Sequence, residues 1–186
     1  LYFGGGTPSL LTVDELQSIV DEVLKYFSFD PDIEVTLEAN PDDLNKDFLK
    51  DLSKTPFNRL SIGTQSFFDE DLKLMNRAHN SGEAESSIKR AQDFGFENIS
   101  IDLIYGSPSS NFEIWKQNLA KTIALQVPHV SSYALTIEPK TMLSAWISQG
   151  KMMAPKEAEQ HEEFFFMVVF LKDQGFDHYE ISSFGQ

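Results

Sequence analysis

Residues 1–9, Leu-Tyr-Phe-Gly-Gly-Gly-Thr-Pro-Ser, join a short apolar run to three consecutive glycines, and an amphipathic helical pattern follows them. We interpret Leu1 to Phe3 as the end of a buried strand and not as a protease-tag remnant, because the glutamine of such a tag is absent. Three glycines let a ligand approach the backbone closely, and exposed backbone amides bind polar or anionic atoms. The loop matches neither a P-loop nor a dinucleotide fingerprint, since no Gly-Lys-Ser/Thr follows and residue 9 is serine. The stretch predicts a strand, a ligand-binding loop and a helix in succession.

The same succession of strand, loop and helix recurs along the chain, which is the pattern of an α/β protein. In the first helix, apolar residues recur at helical spacing from Val13 to Phe27, and Thr12 with Glu15 predicts a capping box. Strands are predicted near 33–38, 59–63, 99–104 and 130–137, with a last one from His178 to Ser182. Further helices are predicted near 45–54, 84–94, 111–126 and 156–174, with a second capping pattern at Ser110 and Glu113 and helix ends at Gly95, Gly150 and Gly175.

Strands that alternate with helices must be parallel and joined by right-handed crossovers, which leaves a barrel or an open doubly wound sheet. Ligand-type residues lie at or just beyond the end of every predicted strand: Gly4 to Ser9, Glu38 with Asn40, Gln65 with Ser66, Asp102, and Thr136 with Glu138. A barrel builds its site from all of its βα loops, whereas an open sheet concentrates ligand groups at one switch point. We therefore predict an α/β fold of the incomplete-barrel type.

Composition and charge argue against a membrane-spanning protein, a nucleic-acid-binding protein and cysteine chemistry within these residues. The 186 residues suit one domain, and the apolar fraction of 41% is that of a globular protein. The longest apolar run, residues 164–171, is about half the length that a bilayer requires, and no signal-peptide pattern is present, so we expect a cytoplasmic protein without a membrane span. A net charge of -14 repels a phosphate backbone, so we expect no nucleic-acid partner. The absence of cysteine excludes disulfides and thiolate ligands within these residues.

A series of motifs, in order and over nearly the whole chain, carries a family resemblance: Gly4 to Ser9, Glu38 to Pro41, Asn58 to Phe67, Asn76-Arg77 with His79, Asp102 to Gly106, Leu135 to Pro139, and Tyr179 to Phe184. With these motifs the chain resembles the radical SAM family of oxygen-independent coproporphyrinogen III oxidase and the related heme chaperone HemW. The resemblance implies a partial (β/α)6 radical SAM barrel of the TIM-like kind. It also implies that a [4Fe-4S] cluster reduces S-adenosyl-L-methionine (SAM) to methionine and a 5′-deoxyadenosyl radical.

The two branches of this family differ in how they treat the tetrapyrrole. In the oxidase, the radical abstracts hydrogen from propionate side chains of coproporphyrinogen III, and decarboxylation leaves vinyl groups. In the chaperone branch, the implied role is to hold heme and to deliver it to an acceptor protein. The stretches Arg59 to Phe67, Asp102 to Gly106 and Leu135 to Pro139 favour the chaperone branch. The implied partners are a tetrapyrrole, either coproporphyrinogen III or heme, together with an electron donor and a heme-acceptor protein.

The resemblance also implies which residues contact SAM: Gly5, Gly6 and Thr7 in the glycine loop, then Glu38, Gln65, Arg77 and Asp102, and more weakly Thr136. The residue types suit this ligand, because carboxylates accept from an amino group and ribose hydroxyls, while a guanidinium clamps a carboxylate. Taken alone, Arg77 would more often be a solvated helix-end charge and Gln65 a surface loop residue. Asp102 is different, because an acid among apolar strand residues is costly to bury without a partner.

Other polar and aromatic residues are given structural roles. The histidines have no metal-ligand spacing, so we predict surface or capping positions and no metal site for His79, His129, His161 and His178. Trp115 and Trp146 are predicted to pack within helices, with a tetrapyrrole wall as the alternative. The three phenylalanines of residues 164–166 predict a buried helix, with membrane attachment as the alternative.

The chain departs from the family pattern in one respect. The family binds its cluster through three cysteines spaced Cys-x3-Cys-x2-Cys before the glycine motif, and no cysteine is present here. We therefore expect residues 1–186 to be a fragment of the radical SAM core, from strand 2 onward, without the cluster loop and the C-terminal domain. Such a fragment is expected to be inactive on its own, and no catalytic residue is assigned. The barrel alone would also suit a non-radical enzyme for a phosphorylated metabolite, which the missing basic phosphate clamp and the ordered motifs oppose.

Overall fold

Seven strands form one sheet in the computed structural model, which describes residues 1–186. The strands are β1 (Tyr2–Phe3), β2 (Thr36–Ala39), β3 (Arg59–Gln65), β4 (Asn98–Tyr105), β5 (His129–Ala134), β6 (Asp177–Glu180) and β7 (Ser183–Gly185). The helices are α1 (Val13–Leu24), α2 (Lys46–Leu52), α3 (Asp69–Leu74), α4 (Ser81–Asp93), α5 (Phe112–Ala124), α6 (Met142–Ser148) and α7 (Glu157–Asp173), and a 3-10 turn covers Pro8–Leu10. Across the sheet the order is β1-β2-β3-β4-β5-β7-β6.

The first five strands are parallel and lie side by side in chain order. A doubly wound sheet would instead reverse its strand order at a switch point. The predicted incomplete barrel is therefore confirmed for β1 to β5. The opening apolar run is a strand end as predicted, since Tyr2 and Phe3 pair with Thr36 and Leu37 of β2. The prediction that this strand is buried is wrong for Leu1 and Tyr2, which are 41% and 55% exposed, because β1 lies at the edge of the sheet.

The central strands have one apolar and one polar face, because successive side chains of a strand point to opposite sides of the sheet. On the helix-covered side, Leu37, Ile62 and Ile101 are fully buried in the hydrophobic core. The residues next to them in sequence, Glu38 and Asp102 among them, lie on the other side. The polar face of the sheet thus collects the side chains that are available to a ligand.

The C-terminal strand differs from the prediction of a single strand over residues 178–182. β6 and β7 form an antiparallel hairpin, and β7 pairs antiparallel with β5. The carboxylate of Glu180 accepts hydrogen bonds from the backbone amide of Ser182, at 3.0 Å, and from the hydroxyls of Ser182 and Ser183. These bonds close a tight turn, and the ring of His178 then stacks on that of Phe184. The chain can reverse here because the Glu180 side chain accepts the hydrogen bond of a backbone amide in the turn.

Most predicted helix boundaries are confirmed. Gly95, Gly150 and Gly175 follow helices with φ angles of 90°, 69° and 86°, the left-handed conformation that glycine adopts at a helix end. Thr12 and Glu15 form the predicted capping box. At α5, however, the cap is Asn111 and not Ser110, and its side chain accepts from two backbone amides. The helix α3 was not predicted, because six residues are too few to show a helical period. The helix predicted around Trp146 and before Gly150 is α6, in which Trp146 is half-buried.

The aromatic residues of α5 and α7 pack against each other on one side only. Trp115 is 2% exposed and its Nε1 donates to the carbonyl of Glu163 at 3.1 Å, which confirms its packing role. The ring of Phe166 packs against Phe112. Phe165 is 53% exposed, so the prediction of a buried helix is wrong for this residue, because α7 lies at the periphery of the fold. None of the helices combines the length and apolar character needed to cross a bilayer.

The start of α4 can be tested through its capping residue. Asn80 Oδ1 accepts from the amide of Glu83 at 2.9 Å, and the Glu83 carboxylate accepts from the amide of Asn80 at 2.8 Å. We expect Asn80→Ala to lower the free energy of unfolding by about 1 kcal/mol, measured by urea denaturation. The control is Glu97→Ala, just beyond α4, whose exposed side chain makes no hydrogen bond or ion pair and whose loss should change stability by less than about 0.5 kcal/mol. Equal effects of the two changes would contradict the capping assignment.

Candidate functional site

A polar cleft of about 180 Å³ lies where β1 to β4 end at their carboxyl sides. It is lined by Gly6, Thr7, Pro8, Glu38, Ala39, Asn40, Ser61, Gly63, Gln65, Arg77 and Asp102. Six of the eight residues predicted to contact SAM are in this lining: Gly6, Thr7, Glu38, Gln65, Arg77 and Asp102. Residues that are far apart in sequence thus come together at one edge of the sheet.

The two remaining predicted residues lie outside the lining. The backbone amide of Gly5 donates to Glu38 Oε2 at 3.2 Å, so Gly5 adjoins the cleft through a residue that lines it. Thr136 follows the end of β5, is exposed, and donates to Glu138 Oε1 at 3.4 Å. The cleft therefore brings together the β1, β2, β3 and β4 ends but not the β5 end.

The glycine loop needs glycine for one reason at Gly5 and Gly6 and for another at Gly4. Gly5 and Gly6 have φ angles of 78° and 96°, which side chains rarely adopt, and a Cβ at either would meet open space. Gly4 is needed for a different reason, because a Cβ there would lie 2.7 Å from the Tyr2 ring and 2.8 Å from the Glu38 carboxyl group. The loop therefore leaves its backbone open at Gly5 and Gly6, and it packs tightly at Gly4.

The guanidinium of Arg77 is held from one side. Its Nη2 donates to Asn40 Oδ1 at 2.6 Å and to the carbonyl of Gly63 at 3.2 Å. Its Nε and Nη1 make no hydrogen bond within the chain, so three of the five N–H donors of this group stay available. Arg77 is half-buried in the cleft and is not a solvated helix-end charge.

Gln65 owes its position to an irregular end of β3. The pairing of β3 with β4 shifts register between Ile62 and Gln65, and Gln65 has a φ of 65°, which is uncommon for a residue with a side chain. Buried polar groups hold the chain immediately after it. Ser66 Oγ donates to Asp71 Oδ2 at 2.9 Å, and the amide of Phe67 donates to Asn118 Oδ1 at 2.7 Å. This network fixes the direction in which Gln65 leaves the strand.

His79 contradicts the prediction of a surface or capping position. It is 3% exposed, and its Nε2 lies 3.1 Å from the carbonyl of Thr64, so Nε2 carries the proton. Burial lowers the pKa of His79 below its ordinary value. Arg77 donates to the carbonyl of Gly63, and His79 donates to the carbonyl of Thr64. The segment after α3 is therefore hydrogen-bonded to two successive residues near the end of β3.

The other histidines lie away from the cleft. His129 is half-buried between Ser100 Oγ and the Tyr179 hydroxyl, each 2.6 Å from a ring nitrogen, so the surface prediction is wrong for this residue as well. His161 and His178 are exposed, as predicted. No group of three or more histidine, aspartate or glutamate side chains is arranged to hold a metal ion.

Asp102 is the carboxyl group whose ionisation is most altered within the cleft. Burial, and after it the negative charge of Glu38, raise the pKa of Asp102 from 3.8 to about 6, against the opposing effect of Arg59 and Arg77. Asp102 makes no hydrogen bond within the chain. A half-buried carboxyl group that changes charge near neutral pH is typical of a functional site.

Sequence reasoning missed Ser61 in the cleft wall, the bond between Asn40 and Arg77, and the network behind the wall. Ser61 follows from strand alternation, because it lies two residues before Gly63 on the polar face of β3. Asn40 belongs to a motif that was recognised, but its bond to Arg77 depends on the tertiary fold. No pattern in the sequence links Ser66 to Asn118, which are 52 residues apart.

A larger cavity, of about 410 Å³, lies between the β4–α5 loop and the start of α7. Its wall includes Ser107, Phe112 and Met153, and none of the residues predicted to contact SAM. Glu163 is buried there, accepts from the amide of Gly106 at 2.7 Å, and has a pKa raised by burial. The smaller cleft is the better candidate, because it gathers backbone amides, two carboxyl groups and a guanidinium around one space.

Comparisons with known proteins place this geometry in a family. Residues 1–120 match the sequence profile described as the Radical SAM superfamily. The chain is 35% identical over 185 residues to the heme chaperone HemW of Lactococcus lactis and 33% identical over 187 residues to that of Bacillus subtilis. Both alignments cover 100% of this chain and 49% of the relative.

A solved structure agrees with these alignments. The structure of coproporphyrinogen III oxidase (HemN) from Escherichia coli, described as a radical SAM enzyme, superimposes with a TM-score of 0.85 at 26% identity. The match covers 100% of this chain and 43% of that protein. The chain thus spans about half the length of the curated relatives it matches. The matched family profile and the superimposed structure agree with the barrel described above.

The raised pKa of Asp102 predicts a pH-dependent cost to folding. The folded chain holds the Asp102 proton more tightly than the unfolded chain, so ionisation costs stability as the pH rises from about 4 to above 6. We expect Asp102→Asn to gain about 1 kcal/mol more in free energy of unfolding at pH 8 than at pH 5. Urea denaturation at both pH values measures the difference.

The matched control is Asp93→Asn, at the exposed end of α4. Its effect on stability should stay below about 0.5 kcal/mol at both pH values. If Asp102→Asn raises the free energy of unfolding equally at pH 5 and pH 8, then burial does not destabilise the ionised form of this carboxyl group.

Proposed function

We propose that this chain, which belongs to the radical SAM superfamily, holds SAM in the cleft at the ends of β1 to β4 and serves in heme metabolism as a HemW-like protein. The observation that carries the proposal is the convergence in one cleft of the glycine loop, Glu38, Gln65, Arg77 and Asp102, in a chain that resembles HemW along its whole length. We also propose that residues 1–186 are part of the family's core barrel.

The donors and acceptors of the cleft fit SAM group by group. The free N–H groups on Nε and Nη1 of Arg77 suit the ligand's carboxylate, because a hydrogen bond between two charged groups is stronger than one between neutral groups. Glu38 and Asp102 suit its amino group and ribose hydroxyls, since carboxylate oxygens accept. The open backbone at Gly5 and Gly6 suits close approach of the ligand. Thr136 is retained as a proposed weaker contact from the β5 side.

The cluster does not fit the residues present, because the chain contains no cysteine. We propose that its ligands lie outside residues 1–186. SAM bound to a reduced [4Fe-4S] cluster supplies one-electron chemistry in this family. The chain's own residues bind and orient SAM, and the carboxyl group of Asp102 sets the charge of the cleft near neutral pH.

The tetrapyrrole proposal has two forms. The first is that the whole protein binds heme and passes it to an acceptor protein, and the similarity to two HemW chaperones supports it. The second is radical decarboxylation of coproporphyrinogen III, which the structural similarity to HemN supports. The first form is preferred, because sequence identity to the chaperones is higher than to the oxidase. An electron donor belongs to both forms.

One experiment separates the two forms. The full-length protein is purified without oxygen, its cluster is rebuilt, and it is incubated with SAM, a reductant and coproporphyrinogen III, while heme binding is measured in parallel. We expect stable heme binding and no vinyl product. Accumulation of vinyl product would establish the oxidase, and the absence of both results would contradict a role in heme metabolism.

The role of Arg77 gives a direct test of SAM binding. Arg77→Met removes the guanidinium, so we expect the affinity for SAM to fall about ten-fold or more, measured by calorimetry on the full-length protein with its cluster. Lys73→Met, in the last turn of α3 and exposed, removes a charge outside the cleft and should leave the affinity within about two-fold. An Arg77→Met protein that is folded and binds SAM normally would remove Arg77 from the site.

A further inference from the structure

Tyr2 reaches the cleft from the strand that precedes the glycine loop. Its hydroxyl donates to Glu38 Oε1 at 2.7 Å, while the amide of Gly5 donates to Glu38 Oε2 at 3.2 Å. Each oxygen of the Glu38 carboxylate therefore has a fixed donor. A carboxylate oxygen accepts about two hydrogen bonds, so each oxygen keeps one acceptor position for a ligand.

The ring of Tyr2 is fixed by its neighbours. A Cβ at Gly4 would lie 2.7 Å from the Tyr2 ring and 2.8 Å from the Glu38 carboxyl group, so ring, backbone and carboxylate pack in direct contact. Tyr2 is 55% exposed, yet its hydroxyl is engaged on the polar face of the sheet. The absence of a side chain at Gly4 is what allows this contact.

The electrostatics of the cleft keep the Tyr2 hydroxyl protonated, so that it can donate to Glu38. Burial raises the pKa of Tyr2 to about 12, with further contributions from its hydrogen bond to Glu38 and from the Glu38 charge. The hydroxyl therefore keeps its proton at neutral pH. Glu38 and Asp102 have the same sign and repel each other, as the raised pKa of Asp102 reflects. A donor is needed to keep the Glu38 carboxylate from turning away toward solvent.

We propose that Tyr2 is a positioning residue of the cofactor site, whose hydroxyl, together with the Gly5 amide, holds the Glu38 carboxylate in the orientation that accepts hydrogen bonds from the amino or ribose hydroxyl groups of SAM. The inference rests on the proposed function, because it takes SAM as the ligand of the cleft. Tyr2 acts through Glu38 and needs no contact with SAM. Its contribution must therefore vanish when Glu38 can no longer act as a carboxylate.

This dependence is tested by a double-mutant cycle on the full-length protein with its cluster, with SAM affinity measured by calorimetry. Tyr2→Phe keeps the ring against Gly4 and removes only the hydroxyl, so we expect the affinity to fall about ten-fold. Tyr26→Phe is the matched control, because Tyr26 is 74% exposed and makes no side-chain hydrogen bond, and its affinity should stay within about two-fold of the unchanged protein. In a Glu38→Met background, which offers the Tyr2 hydroxyl no acceptor oxygen, Tyr2→Phe should lower the affinity by less than about two-fold further.

A second variant keeps the test open if Tyr2→Phe disturbs folding, which urea denaturation would reveal. Glu38→Asp retains the charge but withdraws the carboxylate from the Tyr2 hydroxyl, so it should weaken SAM binding about ten-fold as well. Glu38→Asp with normal affinity would overturn the inference.

The outcomes distinguish this inference from the proposed function. If the unchanged protein binds no SAM, the proposed function is wrong and the inference falls with it. If the unchanged protein binds SAM and Tyr2→Phe binds it equally well, only the inference is wrong. Equal losses from Tyr2→Phe with Glu38 intact and in the Glu38→Met background would also overturn it, because Tyr2 would then act independently of the carboxylate.

Discussion

Parallel pairing of neighbouring strands is the constraint on which the cleft depends. Because β2, β3 and β4 run in the same direction and in near register, the carboxyl ends of the strands meet at one edge of the sheet. Alternation along each strand then sends Leu37 and Ile101 into the core and leaves Glu38 and Asp102 on the opposite face. The apolar half of each strand supplies the stability, and the polar half is free to serve a ligand.

The charge of the cleft differs from that of the whole chain. The chain has a net charge of -14, yet Arg77 is the one basic residue of the cleft wall and faces Glu38 and Asp102 across a small polar space. This pairing of signs suits a zwitterionic ligand, in which an amino group and a carboxylate are close together. The polar residues Asn40 and Gln65 add neutral donors and acceptors to the same wall. Local geometry, rather than net charge, therefore determines what the cleft can bind.

The sequence predicted those parts of the structure that depend on short-range patterns. Asp102 stands out because an acid within an apolar strand is costly unless it has a function, and the glycine loop stands out by composition. Tyr2 and Asn118 could not be recognised, because their roles depend on partners 36 and 51 residues away. The prediction for His79 was wrong for the same reason, since the carbonyl that accepts its hydrogen bond, that of Thr64, lies on β3. The hairpin of β6 and β7 depends on a side chain, that of Glu180, that closes the turn.

The segment between Gln65 and His79 is attached to the rest of the fold at both of its ends, and this limits how its length can change. Its first residues are fixed by the buried network around Ser66, and its last are fixed by bonds to the carbonyls of Gly63 and Thr64. An inserted or deleted residue in between would break one of these attachments. By contrast, residues 26–32 run over the surface largely exposed, where added residues disturb no such pair of attachments. The loop after α1 thus has room for added residues, whereas the length of the segment between β3 and α4 is set by attachments at both of its ends.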